Sequence, residues 1–458
     1  MSLKWIVYNL LFAAVYPFLL PGFLLRMFRR GGYAARMGDR FAVYPEAVKK
    51  AFSEGEIFDR HAVEGKLSNS SSRPVWIHAV SVGEVQVAGQ LMREWRKVEP
   101  DVRFVFSTTS STGWKIAEKE CKEVLIYNPL DFPNFVKSAL LTFRPRAIVL
   151  TESEIWPNFI LQAKKYSLPL FLINARVSDR SAPRYRKAKF FFGDVFGAFT
   201  KIFAQSELDA ERIRATMKPQ VDNVVVTGSF KFDVAKRNSA KEAELRKWLG
   251  LGEESAARRV KILLGGSTWP GEDKLLIEIY KKLLQVSAAA VQPLLVIAPR
   301  HFEKADDIEE NIRKAGFDCV RRSKMNQAAA PQLPSGKPAV YLADTTGELM
   351  GLYALADYVF VGKSLCAHGS QNMIEPCLCG KPTFVGPFTE NFRPVMSDLL
   401  SCEALVQVKN AAELEAKICL YFGNEALSAA LGEKARAAVL RRQGGVPKCV
   451  EAIREALG

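Results

Sequence analysis

The sequence predicts an α/β protein of two doubly wound Rossmann-like domains with a ligand cleft between them, preceded by an N-terminal membrane-anchor helix. Three observations carry that expectation. An apolar run opens the chain. Short Val/Ile/Leu-rich runs then alternate with amphipathic segments. The alternation breaks once, in a polar stretch near the middle, and restarts.

At 458 residues the chain exceeds one ordinary core, and two or three domains are expected. Hydrophobic residues make up 48% and charged residues 25%, which is globular composition, and no repetitive stretch argues for disorder or a solenoid. The net charge of +15 asks for an anionic partner. Finger-like Cys/His spacing and RNA-binding aromatic motifs are missing from the sequence, so no nucleic acid is expected, and an anionic membrane surface is the simpler partner. The eight cysteines, at 121, 319, 366, 377, 379, 402, 419 and 449, are too scattered for a disulfide framework and fit a reducing compartment. Cys377 and Cys379, one residue apart, do not have zinc-site spacing, and no metal is expected.

From Trp5 to Leu25 the chain carries no formal charge over 21 residues. At about 1.5 Å rise per residue this run spans roughly 30 Å, enough for a hydrocarbon core. Pro17 and Pro21 would bend it, so a shallow or re-entrant insertion is the alternative to a span. Lys4 precedes the run, and Arg26, Arg29, Arg30, Arg36 and Arg40 follow it. That asymmetry predicts an uncleaved single membrane anchor, with the large carboxyl-terminal part on the cytoplasmic side.

Seven strand-like runs follow, at 75–80, 102–108, 123–128, 147–151, 168–174, 201–205 and 224–228, with helical patterns such as 85–97 between them. After the polar stretch the pattern resumes at 261–266, 293–299, 319–323, 339–343, 358–362 and 382–386. The expected organisation is an anchor over 1–30, a first Rossmann-like domain over 31–235, a linker over 236–258 and a second Rossmann-like domain over 259–458. Open α/β sheets bind ligands at the carboxyl ends of their strands, so strand-end residues are the candidates.

The segment HAVSVGE (78–84) leaves a strand, passes Gly83 and enters a helix at Glu84. A first-turn acid complements the helix dipole in any protein. In LTESEIWPN (150–158), however, Glu152 and Glu154 also emerge at a strand end, and Pro157 fits an early helical position. Two acids at one sheet edge suit acid–base work, one as base and the other as its support. In the second half, LLGGSTWPGED (263–273) is a glycine-rich turn in which the N–H groups of Gly266, Ser267 and Thr268 could cradle an anion. No Gly-Lys-Ser/Thr follows, so it is not a Walker loop. APRH (298–301) places Arg300 and His301 at the next strand end, where an arginine suits a phosphate or carboxylate. The segment 361–386 ends a strand at Gly362, continues as a small polar loop, and enters a helix carrying Asn372 and Glu375, a glutamate suited to the hydroxyls of a ribose.

Taken together these segments resemble the 3-deoxy-D-manno-octulosonic acid (Kdo) transferases of lipopolysaccharide synthesis. The resemblance rests on RMGDRF (36–41), HAVSVGE (78–84), TESEIWPN (151–158), INARVSDRS (173–181), TGSFKFD (227–233), GGSTWPGE (265–272), PRHFE (299–303), DTTGELMGLY (344–353) and the loop and helix at 361–376. It implies a GT-B fold, CMP-Kdo as donor, a tetra-acylated lipid A precursor as acceptor, and transfer with inversion. By matching motif, Glu84 is implied as catalytic base and Glu152 as the second essential acid. Gly266, Ser267, Thr268, Arg300, Gly362, Lys363, Ser364, Gly369, Ser370, Asn372 and Glu375 are implied to hold the CMP moiety. Arg176 and Lys231 are candidate anion contacts, for the phosphate, the Kdo carboxylate or the acceptor phosphates. CMP leaves with one phosphate, which arginines and helix termini can stabilise, so neither metal nor cofactor is implied.

The chain departs from the family pattern in three places. Where the family loop reads Gly-Gly-Ser and then Gly-Gly-His-Asn, this chain has Gly362-Lys363-Ser364 and Gly369-Ser370-Gln371-Asn372. Lys363 adds a cation, and Gln371 replaces a group that titrates near neutrality. Asp39 stands where glutamate is common. The competing readings are a sugar-nucleotide epimerase or hydrolase on the same fold, which needs no lipid acceptor, and a non-enzymatic membrane scaffold, which needs neither Glu84 nor Glu152.

Overall fold

The computed structural model describes residues 3–30, 34–53, 73–120, 124–218, 223–234, 239–251, 259–288, 291–324 and 338–458. The chain divides into two compact units, Met1–Val234 with Gly444–Gly458, and Ala235–Gln443.

Among its described residues unit 1 holds seven strands: β1 (Val75–His78), β2 (Phe104–Thr108), β3 (Val124–Tyr127), β4 (Ala147–Thr151), β5 (Leu170–Ala175), β6 (Lys201–Ala204) and β7 (Val224–Val226). All pair in parallel, in the order β3-β2-β1-β4-β5-β6-β7. The side chains of β1 alternate between two cores, as a period of two requires. Trp76 joins Ile148, Leu150 and Phe159 on one face. Val75 and Ile77 join Val85, Leu91 and Trp95 on the other. Val446, Val450 and Ile453 of the helix Gly445–Leu457 complete that second core. Asp233 accepts the N–H groups of Gly444 (2.6 Å) and Val446 (2.9 Å), which fixes the start of this helix.

Unit 2 repeats the architecture with β8 (Arg259–Thr268), β9 (Val291–Pro299), β10 (Asp318–Arg321), β11 (Ala339–Leu342), β12 (Tyr358–Val361), β13 (Thr383–Val385) and β14 (Val406–Gln407). Its order is β10-β11-β9-β8-β12-β13-β14, again all parallel. Strand order reverses between β1 and β4 in unit 1 and between β8 and β12 in unit 2, so a crevice opens above those strand ends in each sheet. Each apolar run anticipated from sequence contains a strand; β14 was not anticipated.

The expected membrane anchor is overturned. Residues Leu3–Arg30 form one helix through Pro17 and Pro21. Among the described residues, however, no helix is long and apolar enough to cross a membrane. One side of this helix is taken up by unit 1. Trp5 is buried with its ring 4.6 Å from that of Phe191, Tyr8 lies 5.1 Å from Phe191, and Phe12 and Tyr16 both pack on Phe132. Polar contacts hold the same side: Lys4 with Asp194, and Asn158 donating to Asn9 at 2.8 Å. The flanking arginines do not support the expected orientation either. Arg36 pairs with Asp39, and Arg40 donates to the Thr109 carbonyl at 2.6 Å. The side chains of Arg26, Arg29 and Arg30, like Cys121 and the linker segments 236–238 and 252–258, lie outside the described residues. The described part of the linker contains the helix Ser239–Trp248.

Candidate active site

In unit 1 three glutamates gather at the ends of β1 and β4. Glu84 lies in the first turn of the helix Val82–Val98, which Ser81 caps. The Ser81 hydroxyl accepts the Glu84 N–H and donates to Glu84 Oε1 at 2.9 Å, a reciprocal cap that fixes the carboxylate. Glu84 Oε2 accepts the Val80 N–H at 2.8 Å and lies 3.2 Å from Thr151 Oγ1, the last residue of β4. Burial, then the charge of Glu154, raises the Glu84 carboxyl above the ordinary carboxylate range. A carboxylate with raised proton affinity is a stronger base near neutrality.

Glu152 follows β4 in the left-handed region (φ +48°), which costs a non-glycine residue about 1–3 kcal/mol. Its backbone offsets that strain: its N–H donates to the Ile173 carbonyl at 2.9 Å, and its carbonyl accepts the Arg176 N–H at 3.3 Å. Asn174 Nδ2 donates to its carboxylate at 3.2 Å. Glu154 accepts Trp156 Nε1–H at 2.9 Å and stands 3.7 Å from the buried Nε2 of His78. That imidazole is fixed on its other side by Ser107 and has no further hydrogen bond at Nε2 among the described residues. Glu84 and Glu152 are therefore at the same sheet edge, as the sequence implied. Thr151, Asn174 and His78, which tie that edge together, were not singled out from sequence. A threonine that ends an apolar run and is followed directly by Glu152 was the available signal for Thr151.

Arg176 is half-buried just after β5, and Lys231 opens the short helix Lys231–Val234. The early RMGDRF motif serves the fold. Asp39 is buried, accepts the Tyr127 N–H at 3.1 Å and pairs with Arg36, pinning this segment to the edge strand β3.

In unit 2 the glycine-rich segment is the end of β8, whose last three residues are Gly266, Ser267 and Thr268. Ser267 adopts φ +52°, and the β8–β9 register shifts between Gly266 and Thr268. The Thr268 carbonyl accepts the N–H of Arg300, whose side chain is exposed beyond β9. Gly362 follows β12 so close to this turn that a Cβ would stand 2.3 Å from the Ser267 carbonyl oxygen; only glycine fits. Lys363 follows at φ +56°, with Nζ 4.8 Å from the centre of the Trp269 ring. Ser364 is fully buried; its hydroxyl donates to the Val361 carbonyl at 2.6 Å and accepts the Gly386 N–H at 2.9 Å, so it holds the loop's own shape. Gly369 (φ +114°) packs against Asn391, and Ser370 (φ +60°) returns its N–H to the Lys363 carbonyl at 2.8 Å. Asn372 donates to Glu375 at 3.0 Å and accepts the Ile374 N–H, while burial raises the Glu375 carboxyl above its ordinary range. A cavity of about 240 Å³ opens beside the turn, lined among others by Thr268, Trp269, Lys274, Pro299, His301 and Asn311.

Comparison with known proteins decides the family. A Bordetella pertussis protein described as 3-deoxy-D-manno-octulosonic acid transferase is 31% identical over 84% of this chain and 88% of its own length. The chain belongs to the Kdo transferase family. The family profile described as 3-deoxy-D-manno-octulosonic-acid transferase matches residues 35–234. A Haemophilus influenzae protein of the same description is 28% identical over 89% of this chain and 93% of its own length. A Fusobacterium nucleatum bifunctional glycosyltransferase/methyltransferase is 30% identical over 74% of this chain, which spans about half the length of that relative (51%). Among solved structures, a glycosyltransferase from Rickettsia africae aligns over 84% of this chain and 98% of its own, at 14% identity and a TM-score of 0.55. At that identity it bears on the fold alone, which is of GT-B type. The chain is thus a glycosyltransferase of the Kdo transferase family.

Proposed function

We propose that this transferase moves Kdo from CMP-Kdo to a lipid A precursor, with inversion at the anomeric centre. The main support is Glu84, a buried carboxylate at a strand end, fixed by Ser81 and Val80 and given raised proton affinity by its surroundings. In this reading an acceptor hydroxyl gives its proton to Glu84 as its oxygen forms a bond to the anomeric carbon of Kdo. The bond from that carbon to the CMP phosphate breaks, and CMP leaves with the electron pair. Glu152 supports the edge on which Glu84 sits. Donor binding falls to unit 2, with Arg300, Lys363 and the turns at Gly266–Thr268 and Gly362–Ser370 around the phosphate and Glu375 toward the ribose. The exposed cations Arg180, Arg184, Arg186, Lys187 and Lys189, beyond the end of β5, suit the phosphates of the acceptor and an anionic lipid surface, with Arg176 and Lys231 as nearer anion contacts. One leaving phosphate needs no divalent ion when such groups surround it.

Mass spectrometry of products from the purified chain, CMP-Kdo and a tetra-acylated lipid A precursor tests this reading. The expected result is acceptor carrying one or more added Kdo residues, unchanged in yield when EDTA is present. Release of free Kdo without acceptor modification would replace transfer by hydrolysis. Loss of yield in EDTA, restored by magnesium, would overturn the metal-independent step.

A further inference from the structure

Glu272 opens the helix Glu272–Val286 and is fully buried. Its carboxylate turns back from the helix. Oε2 accepts the N–H groups of Trp269 (2.8 Å) and Lys363 (2.9 Å), and Oε1 those of Leu365 (3.3 Å) and Cys366 (3.4 Å). Burial raises the proton affinity of this carboxyl, and the four amides oppose that rise while satisfying both oxygens. Three of them come from the loop after β12, and one from the turn after β8. One side chain therefore clasps the two segments on either side of the point where strand order reverses.

The clasp has a consequence for Lys363. With its N–H held inward and its φ at +56°, the side chain lies over the Trp269 indole. His301, next to Arg300, packs its ring 4.6 Å from the same indole. The ammonium thus rests on an aromatic face fixed to the same turn, an arrangement that orients a cation without neutralising it.

We propose that Glu272 is a positioning residue for the donor, holding loop 363–366 so that the Lys363 ammonium meets the nucleotide phosphate. This rests on the reading of unit 2 as the donor side. Glutamine at 272 would place an NH2 group against two inward N–H groups and release part of the loop.

Calorimetric titration with CMP, on the full chain, reads the effect. E272Q is expected to weaken CMP binding by about tenfold or more and to raise the KM for CMP-Kdo, with the KM for the acceptor unmoved. Backbone hydrogen exchange at Lys363, Leu365 and Cys366 should be slow in the wild type and fast in E272Q. A purely structural role would lower thermal stability and kcat without that one-sided KM change, and unchanged CMP affinity in a folded E272Q would overturn the proposal. K363G is the second variant, because it removes the ammonium while relieving the left-handed backbone. It should weaken CMP binding while exchange at Leu365 and Cys366 stays slow, and wild-type affinity in K363G would overturn the role of the cation. Rapid exchange of these amides in the wild type would overturn the clasp even if E272Q does not fold. Failure of the wild-type chain to bind CMP at all would overturn the donor reading itself, and the proposal with it.

Discussion

Each unit is built on a parallel sheet of seven described strands whose order reverses once, between β1 and β4 in unit 1 and between β8 and β12 in unit 2, yet the two finish those central strands in opposite ways. Unit 1 ends β1 and β4 in side-chain chemistry: Glu84, Thr151, Glu152 and Glu154, each held by a partner that aims it. Unit 2 ends β8 and β12 in backbone shape: Gly266, Ser267, Gly362 and Lys363, where close approach and left-handed φ matter more than functional groups. Even the fully buried Glu272 beside them spends its oxygens on amides. The contrast teaches that a carboxylate at a strand end is not a role in itself. Glu84 and Glu272 are both buried first-turn acids with raised proton affinity, and only their partners separate a candidate base from a clasp.

Substitutions can break that contrast. The largest effect is expected at Glu84: E84Q keeps the shape and removes the base, so transfer should fall by about 10²–10⁴-fold with the thermal midpoint little changed. Retained transfer in the CMP-Kdo assay would remove unit 1's claim to chemistry. In unit 2 the sensitive position is a glycine. G362A must push a methyl group against the Ser267 carbonyl, so urea unfolding should show a loss of about 1–3 kcal/mol together with weakened CMP binding. An unaffected G362A would mean that backbone shape is not what unit 2 supplies.

A smaller effect sharpens the first half of the comparison. Glu154 contributes to the raised proton affinity of Glu84, after burial. E154Q should therefore move the acid limb of the kcat/KM profile to lower pH, and an unmoved limb would remove Glu154 from the tuning of the base. The smallest expected effect concerns Asp131, whose oxygens accept the N–H groups of Asn158 and Phe159 and whose carboxyl burial raises to about 7. A group with a raised folded-state value adds stability that is fully present below its unfolded value and is lost as pH rises through the folded one. Its contribution should thus decline from about pH 4 to about pH 7. Urea midpoints across that range should decline less in D131N than in the wild type; equal slopes would assign the dependence to other groups.

Much of this was legible in the sequence. The apolar runs marked strands because parallel strands covered on both faces need continuous hydrophobicity. The two-residue β14 carries no such signal. The first helix was misread because total hydrophobicity outweighed pattern: Trp5, Tyr8, Phe12 and Tyr16 recur at helical spacing, and that aromatic stripe docks on Phe191 and Phe132. The placement of Glu84 and Glu152 at strand ends could be read because chain position alone dictates it. The role of Glu272 could not, because three of its four amide partners lie 91 to 94 residues away. Ser364 looked like a ligand contact from its loop, yet its hydroxyl is engaged with Val361 and Gly386.

The helix Gly445–Leu457 gives unit 1 an unusual order of assembly. Val446, Val450 and Ile453, with Cys449 between them, reach a core whose other buried members all precede residue 235. On the ribosome, every residue of unit 2 is synthesised before those three side chains emerge. Until then Val85, Leu91 and Phe230 lack part of their apolar cover, so nascent unit 1 must wait, partly open and prone to association, for the whole of unit 2 to be translated.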